Sequence, residues 1–161
     1  MKNFKIITHA QGAPGLRIFG IGPNFMPTQG LKKLQQLFNN NAFWAQERTQ
    51  GDIKVMLANS QVIVTAWENE KLIGFGRATT DKCFRATLWD VIVSNEFRNK
   101  GIGKKLLIEI MNSKSIKKVE KVYLFSTKSV DFYKSMGFNS TFPQQPLVRN
   151  IEKKMSIRNR K

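Results

Sequence analysis

The sequence predicts an α/β domain, a central mixed β-sheet flanked by helices, and three features of the 161 residues predict it. Helical apolar spacing precedes a run of three β-rich segments. The third of those segments is almost entirely apolar. A basic loop with two glycines then leads from it straight into a second helical pattern, the arrangement of an α/β layer structure. A chain of this length builds one hydrophobic core without staples. It is read as a single domain over 1–161, with its core at 61–138 and a basic tail from about 149.

Residues 16–22 (L-R-I-F-G-I-G) read as a short strand closed by Pro23. Leu31, Leu34, Leu37 and Phe38 fall on one face of a helix over 31–38, and Ile53, Met56 and Leu57 do the same over 50–58. The period then changes. Residues 61–67 (Q-V-I-V-T-A-W) and 71–79 (K-L-I-G-F-G-R-A-T) are strands joined by the polar turn Glu68-Asn69-Glu70. Residues 86–93 (A-T-L-W-D-V-I-V) form the third strand, expected to be central and buried on both faces because only Asp90 interrupts its apolar run. A helix over 103–113 turns Leu106, Leu107, Ile110 and Met111 inward and pairs Lys105 with Glu109 outward. Residues 122–126 are a buried strand, 129–136 a short helix stopped by Gly137, and the stretch from 141 onward one or two edge strands.

Composition excludes several classes. No apolar run approaches the ~20 residues of a bilayer crossing, so no membrane partner is expected, and residues 1–10 carry no secretion or transit signal. One cysteine, Cys83, forbids an internal disulfide, and one histidine, His9, beside it makes a zinc centre improbable, so no metal is expected. Lys and Arg number 27 against 11 Asp and Glu, a net charge of +16. That excess implies contact with a polyanion or a phosphorylated ligand through the basic surface, or simply a basic exterior. Trp44, Trp67 and Trp89 read as core, and Cys83, with no histidine near it, does not read as a covalent nucleophile.

The chemistry lies in the loop R-N-K-G-I-G at 98–103. Gly101 and Gly103 let phosphate oxygens approach the backbone, the first amides of the next helix are unsatisfied, and Arg98, Lys100, Lys104 and Lys105 supply charge. An ordinary strand–helix turn with a solvated basic rim has the same residues. The ATP-type loop fails because one residue separates the glycines, and the dinucleotide fingerprint fails because Leu106 stands at its third glycine.

The stretch 72–138, in the order L-W-D-V-I-V, F-R-N-K-G-I-G-K-K-L-L, Y-L-F-S and F-Y-K-S-M-G-F, resembles the GNAT superfamily of acetyl-CoA-dependent N-acetyltransferases. I-G-F-G-R-A-T-T-D followed by A-T-L-W-D-V-I-V is similar to its plastid and cyanobacterial branch, which includes the chloroplast serotonin N-acetyltransferase-like proteins and a red-algal plastid reading frame. The resemblance implies the acyl-CoA N-acyltransferase fold, with acetyl-CoA as cosubstrate and a primary amine (arylalkylamine, polyamine or protein lysine/N-terminus) as acceptor in a ternary complex. It implies that the backbone of Val91, Ile92 and Val93 holds the pantetheine arm, while Arg98, Asn99, Lys100, Gly101, Ile102, Gly103 and Lys104 hold the pyrophosphate.

Under the same resemblance Tyr133 matches the tyrosine acid that protonates the departing thiolate; the alternative is a core aromatic beside Phe132, Met136 and Phe138. Asp90 is the candidate base, since it is the only ionisable residue of its strand and a buried carboxylate is costly. The other reading of Asp90 is structural, bonded to backbone or to Arg77. Where many members carry an acidic residue or asparagine after the next strand, this chain has Thr127-Lys128, and Lys128 would repel a cationic amine. The location implied is plastid stroma if plastid-encoded, otherwise bacterial cytoplasm, with the oligomeric state either monomer or homodimer. The rival reading is a basic RNA- or ribosome-binding module on a degenerate acetyltransferase fold.

Overall fold

Five strands in the order β1-β2-β3-β4-β5 make one mixed sheet. They are β1 (Lys5–Thr8), β2 (Val62–Glu68), β3 (Lys71–Thr80), β4 (Arg85–Val93) and β5 (Lys121–Tyr123). The first four are antiparallel neighbours and β5 runs parallel to β4. The helices are α1 (Pro14–Phe19), α2 (Gly30–Asn41), α3 (Gln50–Ala58), α4 (Ile102–Met111) and α5 (Val130–Ser135). This computed structural model describes residues 4–140 and 144–150. The chain divides into two units, Met1–Ser126 and Thr127–Lys161.

The mixed sheet with flanking helices is the architecture that the sequence predicts. The first strand is not where the sequence puts it. Residues 16–22 hold a helix end instead, because Pro14 fits the first helical turn and Gly20 (φ 63°) closes α1 in the left-handed region. Only Leu16 of α1 is buried. It seats against Gly30, where an added Cβ would come 2.5 Å from the Leu16 side chain, so glycine is what lets α1 meet α2. The strand that begins the sheet is β1, pairing with β2 from Lys5↔Trp67 to Thr8↔Val64.

The sheet is covered on both faces. On one, α2 and α3 bring Leu34, Phe38, Ile53 and Leu57 against Ile63, Trp67 and Phe75, with Phe38 and Phe75 edge to face at 5.6 Å. A reciprocal cap between Thr49 and Asp52 starts α3. On the other face, α4 buries Ile102, Leu106, Leu107 and Ile110 over Gly74 and Gly76. Those four side chains contribute on the order of 10 kcal/mol of transfer free energy. Leu106→Ala would forfeit roughly 2–5 kcal/mol of that as lost contacts and cavity.

Three further expectations change. Lys105 lies 4.5 Å over the Phe4 ring and Glu109 accepts from Thr8, so the outward Lys105–Glu109 pair does not form. Of segment 122–126 only Val122 and Tyr123 are in a strand, β5, and they are half-buried rather than buried. Of the three tryptophans Trp67 is fully buried, while Trp44 and Trp89 are exposed. In the second unit, α5 ends before Gly137 (φ 90°), as the sequence implies. No regular element occurs at 144–150, and residues 141–143 and 151–161 of the expected edge strands lie outside the described residues.

Candidate active site

β4 is not the evenly buried strand its composition suggests. Its register with β3 slips between Phe75 and Arg77: Ile92 faces Phe75 and Trp89 faces Arg77, so Asp90 and Val91 together stand opposite Gly76. Asp90 takes φ 51°, the left-handed region. One inserted residue reverses which side chains face which layer. Before the bulge Leu88 pairs with Ala78; after it Val91 packs near Gly76 and Val93 pairs with Gly74, the two positions over which α4 lies. Trp89 and Asp90, adjacent in sequence, are thereby both brought to the Arg77 side of the sheet.

A non-glycine residue in this conformation costs about 1–2 kcal/mol. Two charge-assisted hydrogen bonds outweigh it. Arg77 Nε donates to Asp90 Oδ2 at 2.7 Å and Arg48 NH1 to Oδ1 at 3.1 Å, with the carboxylate side chain only 5% exposed. Arg77 also reaches Ser60 and lies 5.8 Å from the Trp89 ring, while Arg48 stacks 4.9 Å over Phe38. Of the two readings the sequence leaves for Asp90, the bond to Arg77 is present; Arg48, from the turn before α3, had no sequence signal.

The bulge sits where β4 loses a neighbour. The β4–β5 ladder runs only from Arg85↔Lys121 to Thr87↔Tyr123. Among the described residues nothing pairs with the far edge of β4 beyond Thr87. Ser94 N–H donates inward to the Ile73 carbonyl at 2.8 Å. Alternation along a strand then points the N–H and C=O of Val93 toward the open edge. Trp89 and Phe125, stacked at 5.9 Å with planes 27° apart and both exposed, stand at the place where the strands part.

Past Ser94 a helical turn at Asn95–Phe97 leads into the glycine loop, with Asn99 (φ 59°) and Gly101 (φ 76°) left-handed. A Cβ at Gly101 would meet nothing within 4 Å, so the loop face is open. The first helical bond is Lys105 N–H to the Gly101 carbonyl, and the backbone N–H groups of Lys100, Gly101, Ile102, Gly103 and Lys104 have no acceptor among the described residues. Five free amides at a helix N-terminus form an anion cradle. The Lys100 side chain folds back on the Glu96 carbonyl and the Phe97 ring, while Arg98 and Lys104 are exposed charges of the rim.

In the second unit Tyr133 packs between Phe132 (5.0 Å) and Phe138 (6.0 Å), and burial raises its phenol above the ordinary 10. A polar cavity of about 560 Å³ lies elsewhere, beside Lys33, Asn41, Lys71 and Asn95. Its polar groups are engaged locally: Lys33 donates to the Glu70 carbonyl, Lys71 pairs with Glu96, and the Asn41 side chain accepts from the Asn95 amide. None of the site residues expected from the sequence lines it. No helix among the described residues is long and apolar enough to cross a membrane.

The fourth and fifth strands part beside a bulge, and an amide-lined loop and a helix follow, so two open backbone surfaces succeed one another along the chain. Residues 59–140 match the acetyltransferase (GNAT) domain, and the chain belongs to that family. It is 34% identical over 113 residues to the uncharacterized N-acetyltransferase ycf52 of Pyropia yezoensis, covering 67% of this chain and 64% of that one. It is 38% identical over 74 residues to the chloroplastic GCN5-related N-acetyltransferase 2 of Arabidopsis thaliana, covering 45% of this chain and 29% of that one. The matches thus span less than two thirds of those relatives. Among solved structures, a GNAT-family acetyltransferase of Streptococcus pneumoniae superposes with TM-score 0.70 at 20% identity, over 94% of this chain and 100% of the other. Glucosamine-6-phosphate N-acetyltransferase of Arabidopsis thaliana gives 0.65 at 18%, over 92% and 99%. At that identity the likeness is one of fold.

Proposed function

We propose that the chain is an N-acetyltransferase that passes the acetyl group of acetyl-CoA to a primary amine by direct attack in a ternary complex. The observation that carries the reading is the continuity of two backbone surfaces: the open edge of β4 at Val93 and, a few residues on, the free amides at 100–104. The first suits the amides of a pantetheine arm laid along Val91, Ile92 and Val93 like an added strand. The second suits a pyrophosphate over Arg98, Asn99, Lys100, Gly101, Ile102, Gly103 and Lys104. Both ligand parts bind main chain, and the family is defined by this use of acetyl-CoA.

The amine nitrogen, freed of its proton, attacks the thioester carbonyl; the carbon–sulfur bond breaks and the sulfur takes a proton. An alkylammonium has a pKa near 10, so most acceptor arrives charged, and it is the neutral fraction, its proton given up to solvent water, that attacks. Tyr133 is the donor to sulfur in this reading, since burial keeps its phenol protonated at neutral pH. Asp90 takes part as a positioning residue. With both oxygens already engaged by guanidinium groups, it fixes the β4 bulge and so the open edge against which the amine is oriented. The chloroplastic relative in Arabidopsis thaliana supports plastid stroma as the place of action if the chain is plastid-encoded, with bacterial cytoplasm as the place otherwise.

Thermal unfolding with acetyl-CoA at 100 times its Kd should show about 2.7 kcal/mol of added stability. Transfer from labelled acetyl-CoA to a panel of amines should fall about 100-fold in kcat in Tyr133→Phe with KM for acetyl-CoA unchanged. No stabilisation at millimolar acetyl-CoA would sink the reading.

A further inference from the structure

The end of the first unit where α4 stops carries a second charged surface that acetyl transfer does not use. Beyond α4, whose last turn holds no basic residue, the turn at 113–119 presents Lys114, Lys117 and Lys118 to solvent around the buried Ile116, and β5 opens with exposed Lys121. The β3–β4 loop is fastened to the same place: the Phe84 carbonyl accepts from the amides of both Glu120 and Lys121. That loop adds Lys82, the first residue of β4 adds Arg85, and the Phe84 ring of the loop is 54% exposed.

The loop is fixed rather than loose. One Asp81 carboxylate oxygen accepts from the amides of Cys83, Phe84 and Arg85, so the backbone that carries the ring is held in place. The two carboxylates here are both engaged, Asp81 on those amides and Glu120 on Arg85. Lys114, Lys117, Lys118 and Lys121 have no hydrogen-bond or ion-pair partner among the described residues. Complementing the dipole of α4 accounts for a cation or two within its last turn, not for four beyond it.

We propose that this surface docks single-stranded nucleic acid, with backbone phosphates on Lys114, Lys117, Lys118 and Lys121 and one base stacked on Phe84. Unpaired lysines give an anion-attracting surface without sequence preference, and the exposed ring on the loop bonded to the Lys121 amide supplies the π-face that a base needs. A lipid surface is served less well, because binding there grows with buried apolar area and this patch offers one ring flanked by charges. The proposal stands on this surface alone and does not depend on acetyl-CoA binding.

The probe is a labelled single-stranded RNA of about 12 nucleotides, followed by fluorescence anisotropy from about 50 to 200 mM salt. Lys117→Glu with Lys118→Glu should weaken binding at least about tenfold and flatten the log–log salt slope by about 1.4. Phe84→Ala should weaken it about fivefold or more at unchanged slope, while Phe84→Tyr binds as the parent does. Lys32→Glu with Lys54→Glu, the same charge change on exposed positions of α2 and α3, should leave affinity within about threefold. The proposal is overturned if that control weakens binding as much as the first pair, if Phe84→Ala binds like the parent, or if polyglutamate or phosphatidylserine vesicles are bound more tightly than the RNA. Binding of acetyl-CoA should be the same in every variant, so failure here and failure of the acetyltransferase reading are separate results.

Discussion

The two halves of β4 come from one apolar run, yet they are built to different rules. From Arg85 to Thr87 the strand has a partner on each side, β3 and β5, and its ion pair, Arg85–Glu120, lies in water. From Leu88 to Val93 it keeps β3, loses β5, takes in one extra residue, and buries its ion pair, Asp90 with Arg77 and Arg48. Strain and buried charge are thus concentrated in the half that has an open edge. The comparison teaches that the irregular half is held by side chains where the ladder cannot hold it, and that the regular half needs no such help.

The largest expected effect follows directly. Asp90→Ala leaves two guanidinium groups over a mostly buried surface without their anion and should lower stability by about 3 kcal/mol in urea unfolding. Asp90→Asn, which tolerates the left-handed backbone and keeps part of the hydrogen bonding, should cost about half as much. In turnover assays, a positioning role predicts that Asp90→Asn raises KM for acetyl-CoA along with any fall in kcat, because the bulge sets the open edge. A loss confined to kcat, with KM for acetyl-CoA unchanged, would instead make Asp90 the base.

His9 sharpens the contrast from the other edge of the sheet, where a half-buried group is satisfied as a neutral one. Its Nε2 lies 2.8 Å from Thr65 Oγ1, which also accepts from the Trp67 indole. Burial lowers its pKa from 6.5 to about 4. Between those values the unfolded chain binds the extra proton, so stability is complete above 6.5, falls as pH drops and levels off below about 4. The loss at pH 4.5 should be about 2 kcal/mol relative to neutral pH. His9→Gln, unfolded in parallel, should lack that part of the pH dependence; identical curves would mean that the imidazole is solvated.

A smaller effect probes the open edge itself. Val93→Pro removes a donor that the β3–β4 ladder does not use, so stability should hold while acetyl-CoA binding by calorimetry weakens about tenfold. The same change in the paired half, at Thr87, should cost stability and spare affinity.

Where the sequence was readable, one dominant signal was present. Periodicity placed α2 and α3, β-branched runs placed β2 and β3, and the glycine loop marked the start of α4. Legibility ended where the deciding interaction was distant in sequence. The apolar run of β4 has no alternation, so a one-residue bulge leaves no trace in it. Asp90 was conspicuous by its type, but Arg48 reaches it across 42 residues. Residues 16–22 alternate as a strand does, and only Pro14, Gly20 and the Leu16–Gly30 contact decide for a helix. The exposure of Trp89 follows from the early end of β5, which composition does not show.

The last comparison returns to the paired half, where the expected effect vanishes. Glu120 meets Arg85 at 3.0 Å, and hydrogen bonding to that carboxylate raises the guanidinium pKa, so geometry alone would call this pair as good as the one at Asp90. Its environment differs: the side chains are 46% and 60% exposed. In water the attraction is screened over about 8 Å at physiological salt, and two long side chains lose rotamer freedom to meet. Glu120→Gln should therefore leave the urea midpoint unchanged at physiological salt, and any shift seen at low salt should fade as salt is added. A midpoint shift that survives salt would mean that Arg85 needs its anion as Arg77 does. The two halves of β4 would then differ in pairing alone, and burial would not be what separates them.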